Sequence, residues 1–336
     1  MPASRQGIAP LAQIPGLGHM RGMSTQRSVA GFVLAASVVT FGLGSVGLSL
    51  RLEPFATWYY LFAWWPYILG AEAALCLMGG YSSLFEEPRR FLVMLPLSVT
   101  LWLVFELYNF RLDNWQYLNL PANAWVRWAG YALSFATVLP GLSVTRRLLE
   151  FWGVFDRASC KPWPKVRRLY GWCTHLGLAC LVLPVLFPRT CFPLVWAGPA
   201  LLLEPVLHAR GARSFLGGLA LGRPRLLWQT LLAGGVCGLL WECWNYWARA
   251  KWVYSVPWVG DVKLFEMPVA GFLGFPVFAL SCFAMSEAFF LLLVHLRRYP
   301  APRRRLAWLM FGVAGASFGT AVLLGMDLWT VASFTR

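Results

Sequence analysis

Apolar runs of about 20 residues follow one another along nearly the whole chain, separated by shorter polar and often basic segments. As α-helix, a run of that length matches a hydrocarbon core of about 30 Å. The pattern predicts nine such helices, over 28–50, 56–80, 91–110, 126–145, 169–187, 191–208, 226–247, 266–294 and 306–326. Each span has to satisfy its own backbone hydrogen bonds in lipid, which leaves the α-helix as its form. The expected fold is an all-α polytopic membrane protein.

Composition points the same way. Of 336 residues, 58% are hydrophobic and 13% charged, about half the charged share of a soluble domain. The net charge of +15 would fit nucleic acid, but the distribution of the basic residues argues otherwise. Counting loops alternately, one face of the membrane receives 21 of the 29 Lys and Arg and the other receives 8. That bias predicts an integral plasma (inner) membrane protein with a cytoplasmic N-terminus and an external C-terminus. The basic loops, including Arg146-Arg147, Lys165 to Arg168 and Arg303 to Arg305, then face anionic lipid headgroups rather than nucleic acid.

The chain contains an internal repeat. WLVFELYNFRLDNWQYLNLP (102–121) corresponds to GLLWECWNYWARAKWVYSVP (238–257). Glu106 aligns with Glu242 and Asn109 with Asn245, while Trp115 and Tyr117 align with Trp252 and Tyr254. Farther upstream Glu72 corresponds to Glu204, and downstream Pro140 to Pro276. This divides the chain into a disordered cytoplasmic segment (1–27), repeat A (28–145, spans 1–4), a basic cytoplasmic linker (146–168), repeat B (169–295, spans 5–8), and a basic loop with span 9 (296–336). A unit of four spans makes the two repeats parallel, related by an axis along the membrane normal.

Acidic residues inside a membrane are functional candidates because a charge at the bilayer centre is expensive. Glu106 and Asn109 share one face of span 3, as Glu242 and Asn245 share one of span 7, both near the outer helix ends. Glu72 and Glu204 lie in the inner halves of spans 2 and 6, as structural or coupling acids. Glu266 is aligned with Gly130, so it exists in one repeat only. Glu106, Glu242 and Glu266 are the candidate catalytic acids. Neutral glutamic acids that hydrogen-bond neighbouring helices are an equally open reading.

Trp241, Trp244 and Trp247 recur every three residues around Glu242 and Asn245. They either pack between helices or wall a pocket in which indole faces stabilise positive charge. Trp252, Tyr254 and Trp258 fall in a loop where amphipathic rings anchor at the headgroup level, or they extend that pocket. Asn109, Asn245, Trp241, Trp244, Trp252 and Tyr254 are therefore the candidate substrate-binding residues. In FEMPVAGFLGFP (265–276), the prolines and glycines predict a bend at the start of span 8. The eight cysteines form no CxxC pair and the four histidines are scattered, so neither a disulfide framework, a metal site nor a cofactor is expected.

Trp252-Val-Tyr254, Gly260 and Glu266-Met-Pro268, following an aromatic and acidic helix end, resemble the pattern of the membrane lycopene cyclase domain family. The resemblance covers 60–145 and 195–290. The chain has Glu-Met-Pro where the family has Pro-x-Glu-Glu, and units of four spans where the family has three. The resemblance implies proton-initiated, non-redox cyclisation of a polyisoprenoid, with Glu266 and Glu242 as proton donors. Three functions remain open: a membrane enzyme or binder of a long isoprenoid or lipid, a proton-coupled transporter with parallel repeats, and a non-catalytic scaffold subunit. Oligomeric state is not legible.

Overall fold

The computed structural model describes residues 17–257 and 262–335. Its helices are α1 (Leu17–Ser49), α2 (Phe55–Met78), α3 (Ser83–Glu86), α4 (Pro88–Leu112), α5 (Ala124–Phe135), α6 (Val138–Phe151), α7 (Tyr170–Leu186), α8 (Pro188–Cys191), α9 (Gly198–Ala209), α10 (Phe215–Ala220), α11 (Arg225–Trp247), α12 (Gly274–Leu296) and α13 (Ala301–Trp329). Short strands connect them: β1 (Trp115–Leu118), β2 (Leu120–Pro121), β3 (Lys251–Tyr254), β4 (Lys263–Leu264), β5 (Met267–Pro268) and β6 (Phe334–Thr335). Eight helical segments are long and apolar enough to cross a membrane: α1, α2, α4, α7, the run from α8 through α9, α11, α12 and α13. The protein is an all-α membrane protein in this sense. Apolar side chains line these helices all round, and many of the large ones are exposed on the outside of the bundle, as lipid requires.

The expected fourth span, 126–145, is not one helix. It is built from α5 and α6, which meet at Ala136 and Thr137. The Ser98 hydroxyl of α4 enters the joint, donating to the Phe135 carbonyl at 2.6 Å and accepting from the Leu139 N–H at 3.0 Å. A side chain inserted in the helical ladder breaks it. Ser281 of α12 does the same at the start of α9, donating to the Trp196 carbonyl at 2.6 Å and accepting from the Ala200 N–H at 3.2 Å.

Two further expectations change. Residues 17–27 of the expected disordered segment are the first turns of α1, while 1–16 lie outside the described residues. The helix is secured there because Gln26 donates to the Phe85 carbonyl and Arg27 to the Leu77 carbonyl, both at 3.1 Å. Glu266, expected to open the span 266–294, lies before the apolar segment Val269–Leu296, in the β4–β5 hairpin. Trp258 and Gly260 lie outside the described residues.

The bundle has two distinct ends. At one end the residues after α4 and α11 form an antiparallel ribbon, β1 with β3. At the other, Arg90, Arg146, Arg147 and Arg213 gather around the starts of α4 and α10 and the end of α6. We call these the ribbon end and the arginine end. Between them the core is aromatic: Trp64 of α2 is fully buried, with Trp241 and Trp244 of α11 at centroid distances of 5.4 and 4.8 Å. Close helix approach depends on small residues. A Cβ on Gly234 of α11 would stand 2.6 Å from the Phe275 carbonyl oxygen, so only glycine allows α12 to lie this near. Finally, α13 packs on α4, and β6 runs parallel to β2.

Candidate functional site

The site begins with two asparagines. Asn109, near the end of α4, accepts from the N–H groups of Asn114 and Trp115 at 2.9 and 3.3 Å and donates to the Trp115 carbonyl at 2.8 Å. Asn245, near the end of α11, accepts from the Trp252 N–H at 2.9 Å and donates to its carbonyl at 2.8 Å. Each side chain thus satisfies backbone groups of the segment that follows its helix, and each clasps the tryptophan of a W-x-Y motif. In strand pairing, Trp115 lies opposite Tyr254 and Tyr117 opposite Trp252, so the two strands pair symmetrically about Gln116 and Val253.

Alternation along a strand sends both rings of each W-x-Y motif inward, and there they meet the acids. Glu106 is fully buried and accepts from three side chains: Trp102 Nε1 at 2.8 Å, Trp115 Nε1 at 3.1 Å and the Tyr117 hydroxyl. Glu242 is equally buried but, among the described residues, accepts only from the Tyr254 hydroxyl, at 2.8 Å. That hydroxyl in turn accepts from Trp252 Nε1 at 2.7 Å. The second oxygen of Glu242 has no hydrogen-bond partner among the described residues. One substitution explains much of the difference. Trp102, four residues before Glu106, corresponds to Gly238, four before Glu242. A Cβ on Gly238 would meet the Phe275 ring at 2.3 Å, so phenylalanine occupies the space of the missing indole. Burial, reinforced by the neighbouring carboxyl groups, holds the Tyr117 and Tyr254 hydroxyls well above the ordinary phenol range.

Beneath the ribbon is a chamber of about 430 Å³. Its walls are chiefly aromatic: Trp102, Trp115, Trp196, Trp241, Trp252 and Phe278, joined by Tyr60, Tyr117, Tyr131 and Tyr254. The bend expected at the start of the eighth span is present as a 3-10 turn (Val269–Leu273) leading into α12, and Ala270, Gly271 and Gly274 line the chamber there. Neither Glu106 nor Glu242 lines it; each stands one side chain behind, covered by its own W-x-Y rings. Three nearly buried wall residues carry polar atoms with no partner among the described residues: Tyr131 Oη, Asn114 Oδ1 and Trp241 Nε1.

The two wall cations are engaged. Arg127 makes a two-pronged bond to Asp327 of α13, at 2.7 and 2.6 Å, and donates to the Pro121 and Ala122 carbonyls. Lys251 is bonded to Glu266 at 2.6 Å, which holds that acid at the chamber rim. Trp244 lies outside the chamber, packed among Trp64, Tyr67 and Phe41, and Trp247 is exposed on the bundle surface.

Glu72 and Glu204 belong to the arginine end. Glu72 accepts from the hydroxyls of Ser82 and Ser83, from the Leu84 N–H at 3.3 Å, and from Arg147 through both terminal nitrogens. Glu204 accepts from the Leu216 N–H at 2.9 Å. In both cases a buried carboxyl meets a backbone N–H twelve residues on, at the start of a short helix, α3 or α10. These are caps, and they are remote from the chamber.

The structure thus brings Asn109, Asn245, Glu106, Glu242, Trp241, Trp252 and Tyr254 to one end and leaves Trp244, Glu72 and Glu204 apart. Sequence reasoning missed Trp102, Tyr131, Trp196 and Asn114. The four-residue spacing from Trp102 to Glu106 was a usable signal, since it stacks the pair on one helix face; Trp196 and Tyr131 arrive only through tertiary packing. Among the described residues no group of three His, Cys, Asp or Glu could hold a metal ion. Compared with protein-family models, with characterised proteins and with solved structures, the chain matches none.

Proposed function

We propose that this integral membrane protein takes a long apolar molecule, an isoprenoid or another lipid, into the aromatic chamber at its ribbon end. The observation that carries the proposal is a chamber of about 430 Å³ whose wall is chiefly aromatic, with a few polar residues such as Asn114, Tyr117, Tyr131 and Tyr254 among its lining. An apolar wall with a small number of polar groups is the usual make-up of a small-molecule site. The resemblance to the membrane lycopene cyclase domain family favours an isoprenoid. In this reading α5 and α6 together make a ninth crossing, the two halves are parallel copies of one four-span unit, and the arginine end faces the cytoplasm.

If the molecule is also transformed, Glu242 is the acid. Its second oxygen is unpartnered, whereas Glu106 is saturated with donors. A neutral Glu242 would donate to the Tyr254 oxygen and free the phenol hydrogen for the chamber, where indole faces steady a developing positive charge. Glu266, bonded to Lys251, is a rim residue in this scheme.

The test is mass spectrometry of lipids that co-purify in mild detergent, for the wild type and for Gly274→Leu, Glu242→Gln and Glu266→Gln. A Cβ at Gly274 makes only ordinary contacts, 3.7 Å from Trp196, so leucine narrows the chamber without forcing the helix. A stoichiometric isoprenoid or lipid that Gly274→Leu expels supports binding, and a different molecule retained by Glu242→Gln supports chemistry. No enrichment over bulk lipid in any sample refutes the proposal.

A second reading, a carrier, draws on one observation. Val138 and Phe278 line the chamber, while their chain neighbours Leu139 and Ala279 line a cleft at the arginine end. The cavities share a thin floor. Uptake of a labelled isoprenoid into proteoliposomes, abolished by Gly274→Leu, would favour it.

A further inference from the structure

We propose that the cleft at the arginine end is a binding site for the phosphate group of an anionic lipid. The proposal does not rest on the occupancy of the aromatic chamber. The cleft encloses about 410 Å³ and is lined by Arg90, Arg146, Arg147 and Arg213. Arg146 and Arg147 are only 7% and 5% exposed. Burying a guanidinium requires anions and hydrogen bonds around it, so each of the four needs an accounting.

Arg147 is fully accounted for by its two bonds to Glu72. Arg146 makes one bond to a carboxylate, Glu150, at 2.8 Å, and that carboxylate is itself half exposed. Arg90 and Arg213 both approach the same oxygen of Glu287, at 3.7 and 3.8 Å, too far for hydrogen bonds. Of the acids around the cleft, Glu150 and Glu287 line it, Glu72 lies behind Arg147, Asp156 at the edge pairs with Arg225 at 2.9 Å, and Glu87 stands 3.7 Å from Arg90. Arg90 and Arg213 are thus the pair whose carboxylate contacts among the described residues are all 3.7 Å or longer, so their guanidinium groups have charges nearby but no hydrogen-bonded anion.

The same two arginines are held in position. Arg90 lies over the Phe290 ring at 4.3 Å and Arg213 over Phe283 at 5.5 Å. Stacked guanidinium planes keep their N–H edges free, and such edges match phosphate oxygens in pairs. Inward from this rim the wall turns apolar, through Met94, Leu142, Ala233 and Cys282. A cationic rim above an apolar interior suits a phosphate joined to hydrocarbon better than a free anion.

The experiment is native mass spectrometry of detergent-purified full-length protein titrated with phosphatidylglycerol, with phosphatidylcholine of the same chains as control and inorganic phosphate as a separate arm. Wild type should retain phosphatidylglycerol over phosphatidylcholine, and Arg90→Gln/Arg213→Gln should weaken that retention at least tenfold. Arg303→Gln/Arg304→Gln/Arg305→Gln, which removes charge from another basic loop, should not. Glu287→Gln takes away the competing carboxylate and should tighten retention several-fold, a gain that misfolding cannot imitate. Inorganic phosphate at millimolar concentration that binds alone and displaces the lipid would overturn the lipid source in favour of free phosphate. Equal retention by the wild type and the Arg90/Arg213 variant, or no gain in Glu287→Gln, overturns the site.

Discussion

Tyr254 donates its hydroxyl hydrogen to one oxygen of Glu242 at 2.8 Å, and no described group reaches the other oxygen. Its counterpart Glu106 receives three donors. Replacing either acid by glutamine should therefore have unequal effects. An amide NH2 at position 106 confronts N–H and O–H donors and loses about 2 kcal/mol, in the range for hydrogen bonds to a strong acceptor. At position 242 the amide can turn its NH2 toward the unpartnered side, and the loss should stay below about 1 kcal/mol. Denaturation in detergent compares the two; equal losses would contradict the donor count.

The asparagine clasps give a second contrast. Asn109→Ala strips two backbone N–H groups and one carbonyl of their partners, whereas Asn245→Ala strips one of each. Each buried orphan costs about 1–3 kcal/mol. Both variants should loosen the ribbon and expose 251–257 to protease, and Asn109→Ala should lose more stability. Cleavage rates at the ribbon, measured alongside unfolding, check this.

Tyr131→Phe removes a hydroxyl that has no partner among the described residues. The ligand-free protein should lose no stability and should gain up to about 1 kcal/mol, because a desolvated group disappears. If the chamber ligand meets that hydroxyl, the same variant retains less of it after purification. A stability loss above about 1 kcal/mol in lipid-stripped protein would mean that the hydroxyl has a structural partner.

At the other end, Arg147 and Glu72 form an ion pair with side chains 5% and 0% exposed. Arg147→Met leaves a buried carboxyl and should cost about 3–5 kcal/mol, while the double variant with Glu72→Gln should recover part of that loss. Glu204→Gln, whose carboxyl has no such cation, should cost less than half as much. Unfolding of the wild type, Arg147→Met, Glu72→Gln and the double variant completes the cycle, and strict additivity would deny the coupling.

Most of the spans were legible because lipid imposes a length and a composition on each, and both are local properties. The matched Glu, Asn and W-x-Y positions were legible for a different reason: the asparagine must reach the tryptophan of a strand shortly beyond its helix, six residues on for Asn109 and seven for Asn245. The break at Ala136 was not. Its backbone angles, φ −64° and ψ −16°, are close to helical. Pro140, four residues on, withholds the N–H that the Ala136 carbonyl would accept from, but Pro66 and Pro96 sit inside continuous α2 and α4, so a proline alone does not mark a break. Here Ser98 on another helix supplies the replacement bonds, a tertiary contribution with no local trace. Glu266 was misplaced into a span because an apolar run carries no sign of where its helix begins. The chamber itself was half legible, in Trp241, Trp252 and Tyr254, while Trp196 joins them only when 192–196 folds back against α12.

The symmetric ribbon has a mechanical consequence. It ties the last turns of α4 and α11 together at Trp115, Tyr117, Trp252 and Tyr254, whereas no comparable strap joins the starts of those helices. The pair behaves like tweezers fixed at the ribbon. From Glu106 to Arg90 is sixteen residues, a lever of about 24 Å at 1.5 Å per residue. Tilting α4 by about 5° about its strapped end would move Arg90 by roughly 2 Å. A motion too small to disturb the aromatic end is thus large enough to close Arg90 and Arg213 on a third body between them.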